Sequence, residues 1–419
     1  MNPVWFTGFE HGVATLTANG GGLCDAVSGT ISISSSYTHN DRYSLKANPT
    51  AGTCYFSKTI STNKLVIRVY IYFVTKPNGA NSFLVAGYNS GSTYPVLYYS
   101  NVTDKLYVGY NGIDFSQASS MTINTGQWYC VDLSFDTSTT DAFTINWTID
   151  GTAQTQALAT AGATAFTMTA LRLGCPTNNV TAEVYFDDVI TSYTSADYPL
   201  TITGIEGLSP STDGTHVSAT QIQKADSSNI TSATTDAHDS VNTVPIGDSA
   251  LYIKQVTTGS YYAEVKVSAS QTNILGATAL LAYRAATATT DKAAFYVIDE
   301  DAVLTTIWGN PTTTADFSES SVFYKNQILP VTAGGWDEGA INALKFRFGK
   351  SDDINPVPWF VDMMLEVAYA TSGAPVLTLQ NATQAQTAGI VALTQHYILA
   401  TVNNATQAQT AGIVALTQH

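Results

Sequence analysis

Along KLVIRVYIYFV (Lys64–Val74), residues Leu65, Ile67, Val69, Ile71 and Phe73 recur at every second position. A period of two puts them on one face of a strand. YPVLYYS, KLYVGYNG, QWYCVDLSFD, FTINWTIDG and VYFDDVITSY repeat the pattern, each bounded by Gly, Asn, Asp, Ser or Thr. Asn111-Gly112 and Asp150-Gly151 are dipeptides suited to tight hairpins. No long stretch keeps an apolar period of 3.6 residues. The pattern before Leu200 therefore predicts many short antiparallel strands, the signature of a sandwich or barrel.

The order of motifs then repeats. Thr7-Gly8-Phe9-Glu10 returns as Thr203-Gly204-Ile205-Glu206, and Tyr43-Ser44-Leu45-Lys46 as Leu251-Tyr252-Ile253-Lys254. Gly126 ahead of Val131, Leu133 and Phe135 has its counterpart in Gly339 ahead of Leu344, Phe346 and Phe348. Tyr185-Phe186-Asp187-Asp188-Val189 aligns with Trp359-Phe360-Val361-Asp362-Met363. Weak individually, these matches in one order predict a single fold used twice, with a boundary near Ser195–Thr201. Beyond Ser372 the character changes. NATQAQTAGIVALTQH occupies 381–396 and recurs unchanged at 404–419, a tandem repeat of 23 residues. The expected organisation is all-β: two tandem jelly-roll β-sandwich domains (1–198 and 199–371) and a short repetitive β-rich C-terminal tail (372–419).

Composition narrows the function classes. The 419 residues contain 17 Lys plus Arg against 32 Asp plus Glu, a net charge of −15. So few cations neutralise few phosphates, which argues against nucleic acid and against anionic membranes as partners. The opening MNPVWFTGFEHG has no basic segment followed by an apolar run, so a chain made in a cytoplasm and released by lysis or inside a particle is expected. Cys24, Cys54, Cys130 and Cys175 lack CxxC spacing, which disfavours zinc. Reduced buried thiols and late-forming disulfides both remain open.

GFEHG near the start, QWYCVDLSFD in the middle and VYFDDVITSY at the end make the first half resemble the concanavalin A-like lectin/glucanase superfamily, in its laminin-G-like branch. The second half resembles it more faintly. The resemblance implies first and last strands lying side by side. It would then bring Glu10 to Asp188, and Glu206 to Asp362, at one end of each domain. Jelly-roll carbohydrate-binding modules hold a structural calcium in such a place, so these four carboxylates are the candidate Ca2+ ligands, weighed against acids that simply accept loop N–H groups. The tail resembles the Ala/Thr/Gln/His repeats of tailed-phage virion proteins, which often follow a laminin-G-like domain. That resemblance implies a virion location and a phage structural protein, as capsid decoration, head fibre or tail fibre.

Candidate chemistry is sparse. A glycosidase on this superfold needs acids alternating along one strand; Glu183 and Asp187 approach that pattern without a third. None of the six His residues sits in a nucleophile motif, and TTDAHDS (Asp236, His238, Asp239) reads as a polar turn more readily than as a metal site. Tyr94, Tyr98, Tyr99, Tyr107 and Tyr110, with Tyr261 and Tyr262, could form a sugar platform, though core or subunit packing is the commoner use of such residues. The sequence thus predicts a non-enzymatic virion protein that binds other virion proteins and a host glycan. Its tail is expected to drive homo-oligomerisation, with a trimer preferred. A carbohydrate-binding adhesin or lectin module of an extracellular cell surface is the alternative.

Overall fold

The computed structural model describes residues 3–12, 23–79, 81–90, 94–111, 113–159, 162–201, 204–217, 222–242, 251–255, 262–285, 294–298, 304–309, 323–330, 335–349, 358–370, 379–380 and 402–403. They form an all-β protein. Residues Met1–Tyr369 make one compact unit and Ala370–His419 another.

The first sandwich uses sixteen strands among the described residues: β1 (Trp5–Thr7), β2 (Ala26–Ser28), β3 (Ile31–Ser34), β4 (Ser44–Ala47), β5 (Thr50–Thr62), β6 (Lys64–Thr75), β7 (Ser82–Tyr88), β8 (Tyr94–Ser100), β9 (Lys105–Asn111), β10 (Ile113–Ala118), β11 (Trp128–Asp136), β12 (Phe143–Ile149), β13 (Thr152–Ala153), β14 (Ala157–Ala159), β15 (Met168–Thr181) and β16 (Glu183–Ser192). One sheet runs β13-β12-β11-β6-β16-β4-β3, with β1 paired to β16 and β14 to β12. The facing sheet runs β10-β9-β8-β7-β15-β5-β2. Strand β6 shows why the alternation folds this way. Leu65, Ile67, Val69, Ile71 and Phe73 are buried between the sheets, while Arg68, Tyr70 and Tyr72 point outward. Phe56, Leu97, Leu133, Trp147 and Phe186 complete the same core from the neighbouring strands. The four cysteines are free, with Cys24, Cys54 and Cys175 buried.

A second sandwich follows: β17 (Gly204–Leu208), β18 (Thr212–Asp213), β19 (Ile222–Lys224), β20 (Ile253–Gln255), β21 (Tyr262–Lys266), β22 (Ile274–Ala285), β23 (Ala294–Ile298), β24 (Leu304–Gly309), β25 (Phe323–Ile328), β26 (Lys345–Gly349) and β27 (Pro358–Tyr369), with one short helix, α1 (Glu338–Ala343). Its sheets run β19-β20-β27-β22-β25, with β17 on β27, and β18-β21-β26-β23-β24. Ile253, Val265, Leu281, Phe346 and Leu365 lie in its core.

The two sandwiches meet sheet to sheet. Phe6, Val66 and Ile190, on the outer face of β1, β6 and β16, pack against Leu200, Ile205 and Ala368. Gly207 permits the approach, because a Cβ there would lie 2.5 Å from the Cβ of Glu10. The sequence pairing of the halves needs correction in two places. Gly339 lies inside α1, where Asp337 caps the first turn by accepting from Ala340 N at 2.7 Å, and does not lead a strand as Gly126 does. Glu10 lies beyond the end of β1, whereas Glu206 sits within β17 opposite Val367.

In the second unit, β28 (Leu379–Gln380) and β29 (Val402–Asn403) pair in parallel, with Leu379 opposite Val402. The two 16-residue repeats themselves lie outside the described residues.

Candidate functional site

The predicted acids come first. A bulge in β16 between Asp187 and Ile190, with Asp188 at φ +46°, turns two consecutive carboxylates toward the junction of the sandwiches. Phe9, at φ +61°, brings Glu10 to the same place. Asp188 accepts from Asn40 Nδ2 (2.6 Å) and Ile205 N (2.8 Å) and meets His39 Nδ1 at 2.7 Å. Asp187 accepts from His39 N and Asp188 N, both at 2.8 Å. Glu10 Oε2 accepts from Arg42 N at 2.7 Å, and Glu10 N donates to Glu366 Oε1 at 3.0 Å. Glu10 Oε1 is buried with no hydrogen-bond partner. Burial, then the neighbouring Asp187 and Asp41, push the Glu10 carboxyl up to about 11. Burial also raises Glu366 to about 8 and holds Asp187 and Asp188 above the ordinary range.

Glu10 and Asp188 therefore share a junction, but it is built by N–H donors. Among the described residues no group of three or more His, Cys, Asp or Glu is placed to hold a metal ion. The second pair is not brought together at all. Glu206 lies opposite Val367, five residues along β27 from Asp362, roughly 17 Å of strand at about 3.4 Å per residue. Asp362 also corresponds to Asp187 rather than Asp188, since each accepts from the backbone N–H of the residue after it. One-residue bulges decide that register, and no sequence alignment of the halves would reveal them. Glu366 is the junction acid that sequence reading missed. Its one signal is an acid inside the apolar run MMLEVAY.

The tyrosine cluster divides by strand parity. Tyr99 and Tyr110 enter the core. Tyr94, Tyr98 and Tyr107 stand half-buried on the outer face of the β8–β9 sheet. Tyr98 and Tyr107 stack at 5.2 Å with 13° between their planes, Phe83 meets Tyr94 and Tyr98, and Tyr88 meets Tyr94 at 5.0 Å. Arg172 of β15 joins this face. It lies between the inward-pointing Leu171 and Leu173, and its guanidinium sits 3.4 Å from the Tyr88 ring centre and 4.4 Å from that of Tyr55. Phe83, Tyr88, Tyr55 and Arg172 were not singled out from sequence, although a cation alternating with leucines in LRLGC is a legible sign of an outward position. Tyr262 lies under the Arg347 guanidinium at 4.0 Å, and Tyr261 is outside the described residues.

The opposite face of the first sandwich carries a second aromatic group, in which Tyr37 stacks on Tyr72 at 4.7 Å and Tyr72 meets Trp128 at 5.3 Å. Glu183 lies beside it. Lys46 at 2.7 Å holds its carboxyl below the usual range. Asp187 stands roughly 14 Å further along the strand at about 3.4 Å per residue, beyond the separation of a glycosidase acid pair. In the second sandwich, His238 contacts Asp213 at 3.0 Å and His216 contacts it at 3.2 Å. Burial opposes ionisation of Asp213, yet these histidines and the N–H groups of Ala237 and His238 hold it down at about 2.

No protein family model matches the chain, and no curated protein does. Solved structures resemble parts of the chain at low identity and low TM-score. An endo-β-1,4-glucuronan lyase from Trichoderma reesei is 16% identical over 42% of this chain and 92% of its own, with a TM-score of 0.31. A carbohydrate esterase from the Shiga toxin-encoding bacteriophage phi24B is 15% identical over 41% and 90%, with a TM-score of 0.31. Domain 4 of a GH43 arabinanase from Geobacillus stearothermophilus is 12% identical over 40% and 80%, with a TM-score of 0.26. The neighbours are thus carbohydrate-binding or carbohydrate-processing β-sandwich proteins, one of them from a phage. The expectation of a non-enzymatic protein is not upheld: the neighbours include lyases and an esterase.

Proposed function

We propose that this is a virion structural protein that presents the β8–β9 face of its first sandwich to a glycan, while its tail joins copies to one another and to other virion proteins. The observation that carries the glycan contact is the row of half-buried rings on that face. A pyranose has an apolar C–H face and a hydroxyl-bearing rim, and rings such as Tyr98 and Tyr107 offer a flat apolar surface with a polar tip beside it. The second sandwich packs on the other sheet, so this face points away from it. The virion reading rests on the tail repeat; the parallel strands immediately before its two copies pair residues one 23-residue period apart.

Retention on a panel of immobilised bacterial surface glycans tests the contact. The double variant Tyr98→Ala/Tyr107→Ala should lose about tenfold in affinity, the equivalent of about 1.4 kcal/mol. Equal retention of variant and parent on every bound glycan would refute it. Peptide mass spectrometry of purified particles tests the location, with the protein expected in fixed stoichiometry to a capsid or tail protein.

A further inference from the structure

The cations of this chain are outnumbered by acids, and those whose side chains are described mostly meet one. Arg68 forms a two-pronged contact with Asp132, Nε to Oδ1 at 2.8 Å and a terminal nitrogen to Oδ2 at 2.7 Å. Arg347 meets Glu264 at 2.7 Å and Arg42 meets Asp41 at 3.5 Å. Lys46, Lys58, Lys64, Lys76 and Lys224 each pair with a carboxylate. Arg172 differs. It contacts the rings of Tyr55 and Tyr88, forms no ion pair with a described residue, and its Nε is buried without a hydrogen-bond partner.

The geometry gives that difference a use. Rings from β5 and β7 lie against the guanidinium, which restricts its orientation and leaves its terminal N–H groups to bond. Directly across the ladder stand Ser57 and Ala86, side chains too short to reach over it. A guanidinium matches a planar carboxylate with two parallel N–H···O bonds, and ordering it costs little because the rings already restrict it. The Tyr88 and Tyr94 rings, 5.0 Å apart, continue the apolar surface beside it.

We propose that Arg172 makes this face selective for carboxylate-bearing sugars of the uronate kind, with the acid on the guanidinium and the pyranose on the adjoining rings. The inference rests on the face being a glycan surface, and it adds the substrate class. Net charge of −15 disfavours diffuse attraction of polyanions, so recognition must come from this one contact.

The test is calorimetric titration of the full chain with oligogalacturonides, with the same oligosaccharides after carboxyl reduction, and with a sulfated neutral oligosaccharide. The oligogalacturonide should bind at least tenfold tighter than its reduced counterpart. Arg172→Gln should abolish that preference while leaving binding of the reduced sugar intact. Arg172→Lys, which keeps the charge but not the fork, should lose most of it. Unchanged near-ultraviolet circular dichroism in both variants would show that the Tyr55–Tyr88 packing survives. A preference that persists in Arg172→Gln, equal binding of acidic and reduced sugars, or tightest binding of the sulfated probe each overturns the inference and leaves the glycan face standing. Binding of none of the three overturns both.

Discussion

Glu10 shows how far a side chain can depart from its usual state when the fold surrounds it with its own kind. It is buried, faces Asp187, Asp41 and Glu366, and keeps its proton up to about pH 11. A neutral amide of the same shape should therefore replace it. We expect Glu10→Gln to melt within a degree or two of the parent at pH 7. Glu10→Ala, which strands the N–H of Arg42 without its acceptor, should cost about 1–3 kcal/mol. Thermal unfolding of both variants separates the cases, and a large loss in Glu10→Gln would mean that the carboxylate is charged in the native state. The thiols tell a similar story. Cys54 and Cys175 face each other across β5 and β15, and burial raises Cys54 to about 11.

At the scale of elements, strands β6, β8, β9, β11, β12 and β16 were all found from sequence; β6 comes nearest to alternation, whereas β16 is buried along nearly its whole length and was legible through its apolar and aromatic run. β15 was hidden because Gly174 and Pro176 interrupt MTALRLGCPTNNVT with turn-type residues, while the strand keeps Gly174 in register opposite Tyr55 and shifts its register with β5 beyond Cys175. β22 was hidden for another reason: ILGATALLAYRA has the composition of a helix, and pairing to both β25 and β27 overrides that propensity. The junction acids were half legible. Glu10 and Asp188 are conspicuous in GFEHG and FDDV, but their surroundings depend on a bulge and on residues as far as 148 (Asn40 to Asp188) and 356 (Glu366 to Glu10) positions away. The tail belongs to this scale too. A chain ending at Ala370 should be folded and monomeric by light scattering, whereas the full chain should be oligomeric. A monomeric full chain would remove the proposed role of the repeat.

For the whole molecule, the buried acids set a direction for pH. Glu366 holds its proton to about 8 in the folded state, against an ordinary value of 4.5, and Glu10 to about 11. Above pH 4.5 the unfolded chain releases these protons and the folded one does not, so unfolding gains driving force as pH rises. The stabilisation is complete below about 4.5. For Glu366 it is lost through about 8 and then levels off, while for Glu10 the loss continues to about 11. Asp213, held down at about 2, acts in the opposite sense and only in acid, where its contribution disappears as pH falls from 3.8 through 2. The melting temperature should accordingly be higher at pH 5.5 than at pH 8.5, and Glu366→Gln should flatten that slope. A melting temperature that climbs between these two pH values would contradict the assignment.

Gly207 carries a consequence for how the halves are indexed. It sits on the same face of β17 as Ile205, which is buried against Phe6 and Ile190, and it faces Glu10. Sliding the strand by one residue would turn that face away altogether. Sliding by two, about 6.8 Å, restores the face but brings Ile205 or Ser209 into the space where only a hydrogen fits. The bonds from Ile205 N to Asp188 and from Gly207 N to Asp41 would break in the same step. The junction is therefore a keyed coupling with one notch, and the second sandwich is fixed at a single setting along the first instead of hanging from it as a loose bead.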